Sequence, residues 1–267
     1  MTAAFLGLFF FCAGTRAQVA LLPVMSPARA IIVPPRQVLS LGRMIWYNEC
    51  RGSVTGLTSW NQGEEFASLG IGHFIWYPEG RQGPFQESFP MLLDYLERHG
   101  VDLPDWLTVC VGCPWPSREA FLADFHSPRM RELRRLLART TPLQARFIVE
   151  RLQAALPKMV AGLRREDRLR VSARFYRLAR HPAGIYALVD YVNFKGEGLK
   201  PQESYNGQAW GLLQVLQGMD QATLEEFAAS ADRVLTRRVL NSPPERREVR
   251  WLPGWRQRLR SYRSAMS

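Results

Sequence analysis

The sequence predicts an α+β protein that is mainly α, with a small β-ribbon followed by a helical body. Two patterns support this prediction. Between Val54 and Tyr77, glycine, serine and threonine residues are interleaved with large apolar residues, which is typical of short strands joined by turns. From Glu87 onward, apolar residues recur at the spacing of a helix face, and Gly100 follows the first such segment. We therefore expect two or three short strands and then mostly helices.

Length and the first residues define the predicted domain organisation. The chain has 267 residues, 46% of them hydrophobic, which is enough to bury a sizeable core. Residues 3–13 form an apolar run of the length of a secretory signal, shorter than the roughly 20 residues that span a bilayer. Small residues indicate cleavage near residue 17 or residue 30. We predict a leader over residues 1–30, an extended arm over 31–39, one domain over 40–267, and a periplasmic or secreted protein.

The first helix of this domain is predicted to begin at Ser40 and to end before Gly52. A serine hydroxyl can cap a helix N-terminus, and glycine is common just beyond a helix end. Between them, Leu41 and Ile45 follow helical spacing. This register places Glu49 in the last turn of the helix, directly before the ribbon.

The helical body is marked by prolines that follow a serine or a threonine. Ser127-Pro128 and Thr141-Pro142 each provide a cap and a proline at the first helical position. We expect three helices between residues 117 and 156. The helices predicted in the last third of the chain span residues 183–194, 220–240 and 245–262.

The basic residues indicate an anionic partner without identifying it. The formal net charge is +11 at pH 7, yet only three of the basic residues are lysines, an imbalance that coding bias also produces. Fifteen basic residues lie between Arg129 and Arg180, and we interpret them as solvated helix faces rather than as a nucleic-acid stripe. We predict a monomer with no nucleic-acid partner, no cofactor and no stable membrane insertion after leader removal.

Three cysteines follow the predicted leader. In an oxidising compartment, Cys110 and Cys113 would most simply form a small structural disulfide. A zinc site would need a second pair of ligands, which we do not find in the sequence, so no metal is predicted. Cys50 is left as a packed thiol or as an alternative bridge partner.

Glu49 is the residue best placed for acid catalysis. The carbonyl groups at a helix C-terminus disfavour a negative charge, and the neighbouring Trp46 and Tyr47 can remove water from it. Both effects favour the protonated carboxylic acid, which is the form that a general acid needs. The ribbon that follows closes on Gly70-Ile71-Gly72-His73.

A helix-end glutamate followed by a ribbon with G-x-G-H resembles the active-site corner of the lysozyme superfamily, most closely that of phage-type lysozymes. The resemblance covers residues 40–80 well and residues 190–262 loosely. It implies a lysozyme-like fold, with a helical lobe and a small β-ribbon lobe around a substrate cleft. It also implies a peptidoglycan hydrolase, which cleaves β-1,4 glycosidic bonds with Glu49 as general acid.

The second catalytic group is where the sequence departs from the phage-type pattern. That pattern has a carboxylate at the position of Gln62 and a threonine at the position of Ser68. Ser68 keeps a hydroxyl that can hold a water molecule. We assign the second catalytic role to Glu64 and place Glu65 behind it as a substrate contact, because adjacent residues on a strand point to opposite faces.

The remaining site residues belong to the ribbon. Trp60 can stack on a sugar ring and Asn61 can bind sugar hydroxyls, although a packed tryptophan and a turn asparagine explain them equally well. We predict structural roles for Gly70, Gly72 and His73, with the histidine joining the ribbon to the helical lobe. The ribbon is also similar to that of chitosanases, which widens the expected substrate to de-N-acetylated glycan.

Two alternatives remain open. Residues 210–215 resemble the G-L-M-Q element of goose-type lysozymes and lytic transglycosylases, and Glu197 precedes this element at about the interval found there for the catalytic glutamate. Glu197 would then catalyse formation of an anhydro sugar. The other alternative is a non-catalytic cell-wall-binding protein that keeps the fold but has lost the second carboxylate.

Overall fold

A first helix and a β-ribbon pack against a body of helices. A computed structural model describes residue 31 and residues 33–264, so the predicted leader over residues 1–30 lies outside the described residues. The helices are α1 (Pro35–Cys50), α2 (Phe89–Arg98), α3 (Asp105–Thr108), α4 (Arg118–Ala123), α5 (Pro128–Arg139), α6 (Thr141–Val160), α7 (Arg165–Leu178), α8 (Pro182–Lys195), α9 (Leu212–Gln217), α10 (Leu224–Asn241) and α11 (Leu252–Ser264). The strands are β1 (Thr58–Ser59), β2 (Ala67–Leu69), β3 (Phe74–Trp76), β4 (Ser204–Tyr205) and β5 (Gln208–Ala209). This arrangement confirms the predicted fold class, mainly α with a small antiparallel sheet.

Helix α1 begins earlier than predicted. Pro35 is its first residue, where a proline fits because its fixed φ is helical and its missing N–H has no partner in the first turn. The predicted extended arm over residues 31–39 is therefore wrong for residues 35–39, and Ser40 lies exposed inside the helix. Val38, only 2% exposed, anchors this added turn in the core. The helix ends at Cys50, so Glu49 occupies the last turn as predicted.

Strands β1, β2 and β3 form the predicted ribbon, with β2 in the centre of an antiparallel sheet. Its β2–β3 turn docks on α6. There the backbone N–H of Ile71 donates to Oε1 of the buried Gln144 at 2.9 Å. Gly70 has φ +71°, and a Cβ at this position would collide with the same oxygen. A Cβ on Gly72 would lie 2.9 Å from Ile148, so both glycines allow the close approach of ribbon and helix.

The helical body follows most of the predicted boundaries. Ser127 caps α5, because its hydroxyl accepts a hydrogen bond from the Met130 N–H at 3.0 Å. Thr141 is the first residue of α6 rather than its cap. Helix α10 begins at Leu224, later than the predicted start at Asp220, because Thr223 is its cap. Helix α11 begins at Leu252 rather than at Glu245, because two short 3₁₀ turns precede it.

The predicted disulfide is wrong, because Cys110 and Cys113 are free thiols in the structure. Cys113 packs in the core at the end of the ribbon, where its N–H donates to the Tyr77 carbonyl at 2.8 Å. Burial raises the pKa of Cys113 to about 12, which makes its thiolate scarce near neutral pH. Cys50 is also a free, buried thiol, as in the packed alternative.

One hydrophobic core joins the ribbon to the helices. Trp76 of β3, for example, packs against Phe89 of α2 with ring centroids 4.8 Å apart, and against Trp115 at 6.4 Å. The ribbon is therefore fixed relative to α2 and α6. Within the described residues, no helix combines the length and the apolar character needed to cross a membrane.

Candidate active-site cleft

Glu49 lies at the junction of α1, the ribbon and the last helix. Its side chain is 18% exposed. Oε1 accepts a hydrogen bond from Nη2 of Arg258 at 2.7 Å, and Oε2 lies 3.5 Å from Nδ1 of His73. The structure thus joins the candidate acid to α11, which is far away in sequence.

Arg258 is shared between Glu49 and a second carboxylate. Its Nε and Nη2 donate to the two oxygens of Asp190 at 2.8 and 2.7 Å, and the Tyr262 hydroxyl donates to Asp190 at 2.6 Å. Asp190 is 4% exposed and the Arg258 side chain is 29% exposed, so a buried carboxylate is paired with a partly exposed guanidinium. Burial disfavours the charged guanidinium, but the hydrogen bonds and charge of Asp190, together with the charge of Glu49, outweigh burial and raise the pKa of Arg258. The guanidinium is therefore charged at any physiological pH.

The two carboxylates bind Arg258 in different ways. Asp190 binds the guanidinium in bidentate geometry, whereas Glu49 accepts a single hydrogen bond from it. Arg258 therefore fixes the position of the Glu49 carboxyl group relative to α8 and α11.

His73 connects the ribbon to α1. Its Nδ1 faces Glu49 and its Nε2 lies 3.6 Å from Sγ of Cys50, while Cys50 donates to the Gly56 carbonyl at 3.2 Å. This placement agrees with the structural role predicted for the histidine. Burial, and then the charge of Glu49, raise the pKa of Cys50 to about 12. Cys50 is thus unsuited to act as a nucleophile, although it neighbours a histidine and a glutamate.

A cleft of about 150 Å³ lies between the ribbon and the helical body. The residues that define it are Gly72 and Phe74 from the ribbon, Arg151 and Lys158 from α6, Asn193 from α8, and Glu197 just beyond α8. Because Gly72 precedes His73 in the chain, the ribbon wall of the cleft lies next to the Glu49 cluster. Glu197 thus lies in the cleft wall, whereas Glu49 contacts the ribbon at His73, one residue beyond the wall.

Glu197 is the carboxylate in the cleft wall. Burial raises its pKa, and the positive charge of Lys158 opposes this shift. The turn that carries Glu197 is held by Glu203, whose Oε2 accepts a hydrogen bond from the Leu199 N–H at 2.9 Å. Glu203 thus stabilises the backbone of the turn, whereas Glu197 lines the cleft.

Neither a protein-family model, nor a curated protein, nor a solved structure matches this chain. Function is therefore inferred from the cleft and from the carboxylates around it. Among the residues that the structure describes, no group of three histidine, cysteine, aspartate or glutamate side chains could hold a metal ion.

The structure places the predicted second carboxylates on a loop. Strand β2 begins at Ala67, so Glu64 and Glu65 precede it, and the expected strand alternation does not apply to them. Oε2 of Glu64 accepts a hydrogen bond from Nδ2 of Asn61 at 3.0 Å. Glu65 has a 78% exposed side chain that pairs with Arg81 at 3.3 Å. The structure thus joins Glu49 to Arg258 and His73, and joins Glu64 to Asn61.

Trp60 and Ser68 are buried parts of the ribbon. The Trp60 indole is 5% exposed, donates to the Glu64 carbonyl at 2.7 Å and packs edge-on against Phe121 at 5.8 Å. It matches the packed alternative that the sequence left open. Ser68 is 3% exposed in the central strand, opposite Ile75 of β3.

Sequence reasoning missed the residues that hold Glu49. Asp190 is a lone acid in the apolar segment of α8, and a buried carboxylate needs a partner to offset its desolvation. That signal could have identified Asp190 as a paired residue. It could not have identified Arg258 or Tyr262, since arginine occurs at many surface positions of this chain and no spacing in the sequence links residue 190 to residues 258 and 262.

Proposed function

We propose that this protein is a lysozyme-like peptidoglycan hydrolase that acts in the periplasm or outside the cell, cleaving β-1,4 glycosidic bonds. The observation that carries the proposal is a cleft between a ribbon and a helical body. Glu197 lines this cleft, and Glu49 contacts His73, the residue that follows Gly72 of the cleft wall. Glycosidic cleavage needs a carboxylic acid beside the leaving oxygen and, in most enzymes, a second carboxylate. The proposed partner is the glycan strand of the cell wall.

In the favoured mechanism, Glu49 is the general acid. It protonates the leaving oxygen, while a water molecule attacks the anomeric carbon and gives up its proton to a second group. The contacts of Glu49 with Arg258 and His73 support this role, because they hold its carboxyl group in one position at the junction of α1, the ribbon and α11. A buried ion pair is costly to maintain, and perturbed ionisable groups are common at functional sites.

The proposed water-positioning group is Ser68 with Glu64 or Glu65. The loop that carries the two glutamates is exposed at Glu65 and partly exposed at Glu64, so a glycan strand can reach it. Ser68 is buried in β2, so its hydroxyl would hold the water molecule from inside the ribbon. Single replacements Glu64→Gln, Glu65→Gln and Ser68→Ala separate the three contributions by their kcat values.

The second candidate function is that of a lytic transglycosylase with Glu197 as the catalytic acid. A specific observation favours it: Glu197 itself lines the cleft, and burial raises its pKa. A protonated glutamate in the cleft is what an acid for this reaction needs. The product would be an anhydro sugar, which is lighter than the hydrolysis product by one water molecule.

The test uses the purified chain on cell walls, with product masses and release of reducing sugar as readouts. Under the favoured mechanism, Glu49→Gln abolishes turnover and the products carry reducing ends. Loss of activity in Glu197→Gln alone, with anhydro products, would favour the transglycosylase instead. Glu97→Gln, an exposed position on α2, is the matched control. Glycan binding without turnover in the wild type would indicate a non-catalytic wall-binding protein.

A further inference from the structure

We propose that Arg151 and Lys158 form a subsite in the cleft for the carboxylate of an acidic glycan. This inference rests on the proposed function and deepens it, because it names the chemical class of the substituent beside the cleaved bond. The ligand chemistry is a carboxylate attached to a saccharide, such as the lactyl acid of muramic residues or the peptide linked to it. A cationic glucosamine polymer would be rejected.

The two cations lie on one face of α6. They are seven residues apart, which is close to two helical turns and separates them by about 10 Å along the helix axis. Both line the cleft together with Glu197. A group bound between them would therefore lie beside the carboxylate in the cleft wall.

Arg151 is half-buried, and the acidic group that acts on it is Glu197 of the same cleft. Its guanidinium lies 5.6 Å from the centroid of the Phe147 ring. Burial lowers the pKa of Arg151, and the charge of Glu197 opposes this shift. The ion pairs among the described residues include neither Arg151 nor Lys158. Arg238, by contrast, binds the buried Glu248 at 2.7 Å.

An unpaired, half-buried guanidinium is costly to maintain, and a ligand anion would offset that cost. The charges in the cleft also favour an anionic ligand. Two cations face one carboxylate, and burial favours the protonated form of Glu197. The local charge is thus +1 with Glu197 ionised and +2 with Glu197 protonated, and both states attract an anion.

The size of the cleft also favours a subsite over a complete binding groove. Pockets for whole ligands usually measure roughly 300–1,000 Å³. At about 150 Å³, this cleft has room for one substituent of a glycan rather than for a chain of sugars. The amides of Gln86 and Asn193 also line it and can bind neutral groups such as hydroxyl or acetamido.

The first experiment measures binding, which does not depend on turnover. The full chain is titrated with a disaccharide of N-acetylglucosamine and N-acetylmuramic acid that has a free lactyl carboxylate, and with the same disaccharide as its methylamide. Loss of a charged hydrogen bond is expected to weaken binding of the amide about tenfold. In the double variant Arg151→Gln, Lys158→Gln, this preference should fall to about one. The matched control Arg146→Gln changes an exposed arginine on the same helix and should keep the wild-type preference.

The second experiment compares turnover of peptidoglycan with free carboxylates, carbodiimide-amidated peptidoglycan and chitosan. The subsite predicts that kcat/KM falls on amidation and is lowest for chitosan. Equal binding of acid and amide, or an unchanged preference in the double variant, would overturn the subsite. A binding preference for the acid with no turnover of any glycan would support the subsite and refute the hydrolase. Melting temperatures of all variants show whether they are folded.

Discussion

Replacing Asp190 by asparagine should destabilise the fold and change the charge around Glu49. Asp190 is 4% exposed and accepts three hydrogen bonds of 2.6 to 2.8 Å from Arg258 and Tyr262. Breaking a buried ion pair costs about 3–5 kcal/mol, and asparagine keeps one acceptor oxygen, so we expect a loss of about 3 kcal/mol. For a chain of this size that corresponds to a fall in melting temperature of about 6–12 °C.

The same replacement should impair catalysis through Glu49. Without the bidentate carboxylate of Asp190, the guanidinium of Arg258 loses the partner that orients it toward Glu49. The carboxyl group of Glu49 is then less well positioned, so kcat on cell walls should fall below that of the wild type.

The assays are thermal unfolding followed by circular dichroism, and sugar release from cell walls across pH. The matched control is Asp232→Asn, which removes the partner of Arg256 from a pair whose side chains are 40% and 43% exposed. Exposed pairs contribute little to stability, so this control should melt close to the wild type. Equal melting temperatures for the two variants would refute the view that Asp190 is a buried partner of Arg258.

Three further predictions follow from local geometry. Gly70→Ala should destabilise the fold more than Gly63→Ala, as measured by urea unfolding, because both glycines have positive φ but only a Cβ at residue 70 would collide with a neighbour; equal losses would contradict this. The raised pKa of Glu197 means that the folded protein binds this proton more tightly than the unfolded chain does, so the contribution of Glu197 to stability falls as pH rises above about 4.5. The stability of Glu197→Gln relative to the wild type should thus be higher at pH 7 than at pH 4, and a pH-independent difference would be evidence against the shift. Cys110 should react with a thiol reagent in the folded protein and Cys113 only after unfolding, whereas two unreactive cysteines would indicate a disulfide.

Local signals in the sequence were sufficient for much of the fold. Apolar spacing and the residues after the helix placed Glu49 in the last turn of α1, and the glycine-rich pattern predicted the ribbon. The predicted start of α1 is wrong, because Pro35 fits both an extended arm and a first helical turn, and the structure has the helix. Such boundaries depend on packing, here on the burial of Val38.

The environment of the site depends on contacts between distant parts of the chain. The ion pair between Glu49 and Arg258 joins residues 209 positions apart, and no periodicity links them. The burial of Trp60 depends in the same way on Phe121 of α4. The cleft position of Glu197 was suggested only by its interval from the segment that begins at Trp210. Sequence reasoning therefore proposes Glu49 and Glu197 as candidate carboxylates but cannot assign their partners.

The measurement that tests the central proposal most directly is turnover of cell-wall glycan by Glu49→Gln beside the wild type, with product masses determined in the same reaction. The amide of Glu49→Gln cannot protonate the leaving oxygen, so this variant should release no sugar above background. It should remain folded, because the amide oxygen can still accept the hydrogen bond from Arg258. The wild type should release fragments with reducing ends. Full activity in Glu49→Gln, together with an inactive Glu197→Gln, would contradict the assignment of Glu49 as the catalytic acid.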